Sequence, residues 1–140
     1  MSGEWITAAG AAIFFMLGAL HLRLTVRDLK NPQHFVPARK ELLDDLKATR
    51  INLTKDAKDF WTSLIGFHFS HSVGVMFYGA VVAYCALIRP DILSDMTVRL
   101  ALVIVGGAYV LMARAFWFKI PFFGAGIGVT LIAVGMSLLY

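Results

Sequence analysis

Long apolar runs alternate with short polar ones along this chain. The first apolar run is "ITAAGAAIFFMLGALHL" from Ile6 to Leu22, and a second occupies 60–88. A third fills 98–118 and a fourth 120–140, the last two separated only by a tight turn in "FWFKIPFFG". None of the four shows the strict alternation of a half-buried strand. About 20 apolar residues cross a hydrocarbon core of about 30 Å, and backbone groups in lipid must be paired within their own segment. The pattern therefore predicts an all-α, integral membrane four-helix bundle. It forms a single domain over 1–140, with spans at 6–24, 60–88, 98–118 and 120–140. The run at 60–88 is longer than a crossing needs and is expected to tilt or to project at one end.

The connection at 25–59 has a different texture. Pro32 and Pro37 mark turns, and Pro37 stands where a helix would start. Leu42, Leu43, Leu46 and Leu53 recur near helical spacing among charges, which predicts one amphipathic helix or two on the membrane surface. Asn52 or Thr54 would cap the second.

Composition and charge sharpen this picture. Hydrophobic residues make up 59% of the 140 and charged residues 16%, with a mean hydropathy of +0.72. A soluble domain is nearer a quarter charged, so a water-soluble bundle is disfavoured. The opening "MSGEWITAAG" lacks a basic stretch, so the first run is expected to stay as a helix rather than to be cleaved. Of 13 basic residues, 11 fall in the connection 23–59 or beside the turn between the last two spans, leaving Arg89 and Arg99 opposite. Basic loops stay in the cytoplasm, which places the connection inside and both termini outside. Trp5, Trp61, Trp117 and Tyr140 sit near span ends as interfacial anchors. The basic connection is taken as a topology determinant against anionic lipid, and no nucleic acid is expected. A single cysteine, Cys85, excludes an internal disulfide.

Small residues predict where helices touch. Gly66, Ser70 and Gly74 form one row, Gly106 lies in the third span, and Gly124, Gly128 and Gly135 share a face of the fourth. A homo-oligomer through one such row is left open.

Candidate chemistry centres on "LIGFHFSHSVG", Leu64 to Gly74. His68 and His71 are three residues apart and share a helix face, flanked by Ser72, while the Gly66 row lies roughly opposite. With the topology above, His21, Tyr109 and Arg114 arrive at the same depth. Ionisable groups in a membrane helix are costly unless they face the interior or water. The convergence predicts a cytoplasm-facing cavity lined by His21, His68, His71, Ser72, Tyr109 and Arg114. It would bind, and in one version transform, a lipid-like hydrophobic ligand, with imidazole as donor or general acid/base. Arg114 also suits simple snorkelling to the interface. Two alternatives stand beside this. Three imidazoles, His21, His68 and His71, match a metal site, and His21 opposite His68 or His71 matches the axial pair of a haem. In the third reading the chain is a structural subunit of a larger membrane complex, with its histidines as interhelical glue. No carboxylate falls in any of the four runs, which disfavours a di-iron site. No hydroxyl–histidine–carboxylate arrangement supports nucleophilic catalysis, so no catalytic residue is assigned.

"GALHL" (Gly18 to Leu22), a polar connection and then "GFHFSHSVG" (Gly66 to Gly74) resemble a group of small four-helix bacterial membrane proteins of uncharacterised function. At the level of architecture the chain is also similar to the emopamil-binding sterol isomerase and sigma-2 receptor group, small bundles with a buried ligand cavity. That likeness implies a sterol-like or acyl ligand. It does not carry the isomerase chemistry, because those proteins use intramembrane acids that the four runs here lack.

Overall fold

The first helix does not stop where its apolar run stops. In the computed structural model, which describes residues 2–139, α1 spans Gly3–Lys30 and carries the apolar run straight on into "RLTVRDLK". Arg27 and Lys30 occupy its last turn, where cations meet the negative end of the helix dipole. Asn31 still donates to the Arg27 carbonyl at 2.9 Å, and then Pro32 bars further helix at the residue before it. Twenty-eight residues make a helix of about 42 Å, well beyond a hydrocarbon core of about 30 Å. α3, Phe60–Leu87, has the same length. Both helices therefore exceed an upright crossing, not the second alone as the apolar runs suggest.

The remaining elements are α2 (Glu41–Ala48), a 3-10 turn at Pro90–Ser94, α4 (Met96–Phe116) and α5 (Lys119–Ser137). α1, α3, α4 and α5 are each long and apolar enough to cross a membrane. The chain is an all-helical four-helix membrane protein. Tyr140, expected as an anchor, lies outside the described residues.

The connection holds one helix rather than two. α2 begins at Glu41, four residues after Pro37, and shows Leu42, Leu43 and Leu46 half-buried among exposed charges. Neither Asn52 nor Thr54 caps a helix. Residues 51–59 instead double back, with Phe60 donating to the Thr49 carbonyl at 2.8 Å and Ile51 to the Lys58 carbonyl at 3.3 Å. The cap of α3 is Asp59, whose carboxylate accepts from the Thr62 amide at 2.8 Å and the Thr62 hydroxyl at 2.7 Å. Those bonds, first that from the Thr62 amide, hold the Asp59 carboxyl below its ordinary range. Asp95 caps α4 in the same way through the Thr97 amide at 2.7 Å.

The chain divides into two compact units, one of residues up to Gly18 and from Val75 onward, the other Ala19–Gly74. In the first unit four helical segments form a bundle whose contacts are set by glycine. A Cβ added at Gly10 would stand 2.5 Å from the Gly128 carbonyl oxygen and 2.9 Å from the Ile132 nitrogen. One heptad away, a Cβ at Gly3 would stand 2.5 Å from the Gly135 carbonyl oxygen. The falling numbers on α5 against the rising ones on α1 mark an antiparallel pair in backbone contact. Gly79 of α3 is pressed on α1 in turn, its added Cβ 2.7 Å from the Ala11 carbonyl oxygen. Gly106 of α4 gives room to the Tyr78 hydroxyl, which donates to the Leu102 carbonyl at 2.8 Å. Phe14 fills the middle, edge-on to Tyr78 with ring centroids 4.8 Å apart.

The second unit packs the later part of α1 on the early part of α3, with α2 and the connection. Buried and half-buried positions run in steps of four and three along both helices: His21, Thr25 and Asp28 on α1, and Trp61, Ile65, His68 and Ser72 on α3. This is the seam of a helix pair with a near-heptad period. Its content is polar where the first unit's is glycine and apolar side chains.

The exposed row Gly66/Ser70 corrects one expectation. Gly66 would have nothing within 4 Å of an added Cβ, and Ser70 is exposed with its hydroxyl on the Phe67 carbonyl at 3.0 Å. Gly74 is half-buried. Small size marks where helices can approach, not where they do. The face of α3 that packs is the one with His68 and Ser72.

Candidate functional site

Three of the imidazoles in the second unit, those of His21, His68 and His71, have positions dictated by their helices. His21 follows the small residues Gly18 and Ala19 on the inward stripe of α1. His68 occupies the matching stripe of α3, and the rings meet with His21 Nε2 3.0 Å from His68 Nδ1. One nitrogen donates and the other accepts, so with both rings neutral one of the two facing nitrogens carries the proton and the other is bare. His71 is three residues on, beside the pair, its ring 5.6 Å from that of His21 and nearly perpendicular to it. Phe67 stacks on His71 from the outer side, with centroids 6.0 Å apart. Phe67 itself is 57% exposed, so the cluster reaches the outer surface of α3.

The pair is covered from the connection. Phe35 lies flat on His68 at a centroid distance of 4.2 Å and an interplanar angle of 20°, and sits 4.8 Å from the His21 ring. What holds Phe35 there is Asp28. Its carboxylate is fully buried and accepts from the Phe35 amide at 2.7 Å, the His34 amide at 3.0 Å and the Gln33 amide at 3.1 Å. His34 Nδ1 donates to the same carboxylate at 2.7 Å, which fixes the tautomer because an ionised carboxylate only accepts. Three successive amides around one anion make a backbone nest. A chain leaving α1 at Asn31 is thereby turned back over the helix it has just left.

The hydroxyls of the seam are spent locally. Ser72 is buried and donates to the His68 carbonyl at 2.7 Å, and Thr25 donates to the His21 carbonyl at 2.9 Å. Such bonds one turn back satisfy a hydroxyl without an outside partner. Ser72 therefore serves the helix that carries His68 rather than offering its proton elsewhere.

Of the six residues expected around one cavity, four share the second unit: His21, His68, His71 and Ser72. Tyr109 and Arg114 belong to the first unit. Tyr109 packs there at 6.0 Å from the Phe14 ring and 5.9 Å from the Tyr78 ring. Arg114 is exposed in the last turn of α4.

Sequence reasoning missed Asp28, His34 and Phe35. Asp28 lies past the end of the first apolar run, which the charges around it close, and His34 and Phe35 lie in the connection. A signal existed: steps of three and four from His21 lead to Thr25 and then to Asp28.

As for metals, among the described residues no group of three or more His, Cys, Asp or Glu side chains is arranged to hold an ion. The facing nitrogens of His21 and His68 are also too close for a haem between them, since two metal–nitrogen bonds of about 2 Å each need roughly 4 Å. A haem on that axis would have to part the pair and lift Phe35.

No protein-family model matches the chain, and neither a curated protein nor a solved structure does.

Proposed function

We propose that this chain is a bacterial inner-membrane protein whose working centre is the His21–His68–His71 cluster, which binds the polar end of a lipid-like hydrophobic molecule. The observation that carries the reading is the 3.0 Å contact between His21 Nε2 and His68 Nδ1 inside a helix pair. An imidazole pair can donate one hydrogen bond and accept another at the same place, which suits a hydroxyl, carbonyl or ester head. The covering Phe35 shapes the approach. The route left to a ligand from the bilayer is lateral, past His71 and exposed Phe67 and Val73. In this proposal a lateral approach takes the place of an open cytoplasmic cavity. The basic connection lies in the cytoplasm and both termini outside, supported by the charge asymmetry.

A structural role is the competing reading, favoured by the pair's satisfying itself and by its aromatic cover. The experiment compares wild type with His21→Ala, His68→Ala and His71→Ala, each purified in mild detergent. Co-purifying lipids are identified by mass spectrometry, and absorbance and metal content are recorded on the same samples. A bound lipid-like species held by wild type and lost from all three variants is the expected result. Unchanged lipid with lowered thermal stability alone would establish the structural role instead. A Soret band, or a stoichiometric metal lost in the variants, would hand the site to haem or metal.

A further inference from the structure

The turn between α4 and α5 carries a second feature, independent of the histidines. Ala113, Arg114, Trp117, Phe118, Lys119 and Phe122 line a shallow cavity of about 120 Å³ there. Arg114 comes from the last turn of α4 and Lys119 is the first residue of α5, so two exposed cations flank one hollow. No Asp or Glu occurs in the sequence after Asp95. Asp95 itself caps the far end of α4, about 28 Å along the helix from Arg114. Nothing acidic within the hairpin neutralises these cations.

The walls are as informative as the charges. Phe118, one of the lining residues, is 66% exposed, and Phe116, two residues before it and outside the lining, is 80% exposed, on a helical hairpin long and apolar enough to cross a membrane. Side chains of this kind suit the boundary where acyl chains give way to headgroups, and Trp117 belongs at the same level. No side chain caps the first amides of α5, so their partial positive charge adds to that of Lys119. The hollow thus offers cationic donors at its rim and apolar surface below it. Arg supplies a planar fork for phosphate oxygens and Lys a point charge.

We infer that the α4–α5 turn is a binding site for an anionic phospholipid, its phosphate between Arg114 and Lys119 and its acyl chains along the aromatic side chains below. Free phosphate shares the headgroup chemistry, but it would make no use of the apolar walls.

The test uses the full chain with Trp5→Phe and Trp61→Phe, which leaves Trp117 as the one tryptophan. Quenching of Trp117 is followed in detergent as dibrominated phosphatidylglycerol or dibrominated phosphatidylcholine is added. Phosphatidylglycerol should quench at about tenfold lower concentration, and Arg114→Gln with Lys119→Gln should remove that preference. The charge-conserving pair Arg114→Lys with Lys119→Arg should keep most of it, which separates lost charge from lost fold. Arg23→Gln with Arg27→Gln should keep it too, since neither of those residues lines the hollow. Equal quenching by both lipids would overturn the proposal, as would a preference that survives the glutamine pair. So would a loss of equal size in the Arg23/Arg27 variant, or complete displacement of the lipid by equimolar inorganic phosphate, since the apolar walls would then add nothing to binding.

Discussion

The two units of this protein build helix contacts on the same four-and-three stripe with opposite materials. In the first unit, Gly3, Gly10, Gly128 and Gly135 remove side chains until backbones touch. In the second, His21, Asp28 and His68 insert polar side chains that bond to one another or to the folded-back connection. Lipid provides little hydrophobic drive for helices to associate, so either close packing or buried hydrogen bonds must supply it. The glycine seam has one function, contact. The polar seam costs desolvation that glycine avoids, and a pair of imidazoles is not the cheapest glue. That surplus chemistry is why the site is sought in the second unit.

The comparison is broken most forcefully at Asp28. Replacing it with alanine strands three backbone amides and His34 Nδ1 at once, around a side chain with no exposure. The expected cost is about 3 kcal/mol, read as a shifted midpoint of unfolding in mixed detergent micelles. Amide exchange at Gln33, His34 and Phe35 should accelerate with it. Asp28→Asn keeps one acceptor oxygen and loses the charge, so about half that cost is expected. If the alanine variant unfolds at the wild-type midpoint, the strap over the imidazoles is not held by this carboxylate, and Phe35 stays on His68 for some other reason.

A smaller loss is expected in the glycine seam. Gly10→Ala drives a methyl group against the Gly128 carbonyl and the Ile132 backbone, neither of which is the flexible end of a side chain. Overpacking of this kind costs about 2 kcal/mol, after a helix-propensity gain of up to about 1 kcal/mol is set against it. Gly135→Ala meets Thr7 and the Gly3 backbone and should cost a similar amount. The double variant should cost less than the two together, since parting the pair of helices once relieves both sites. Full additivity would mean that α1 and α5 yield locally rather than as a unit.

How far the sequence foretold all this follows from what kind of signal each feature leaves. Length and apolarity decided the four spans, because lipid admits few other structures. The end of α1 was misplaced by six residues, since charges end a hydropathy run but not a helix: Arg27 and Lys30 are favourable in a last turn. The histidines stood out because an imidazole in an apolar run is rare. Their contact through His21 and His68 depended on register between two helices, which no single stretch contains. Asp28 was invisible for a subtler reason. A carboxylate among basic residues looks solvated until the chain is seen to turn back and give it three amides. Gly66 and Ser70 misled in the other direction, because spacing alone cannot say which side of a helix has a neighbour.

That last row offers the smallest effect and the sharpest sign. Gly66→Ala adds a methyl group where nothing stands within 4 Å. The only change is then the intrinsic preference for alanine over glycine in a helix, a gain of up to about 1 kcal/mol. Thermal unfolding of Gly66→Ala and Gly10→Ala should therefore move in opposite directions from wild type, although both replace a glycine inside a membrane-crossing helix. Gly66→Leu should be tolerated as well, because the added side chain finds open space. A destabilised Gly66→Ala would mean that this face of α3 meets a neighbour in the membrane after all. The row would then be a contact between chains, and the contrast between a packing seam and a chemical seam would need a third surface.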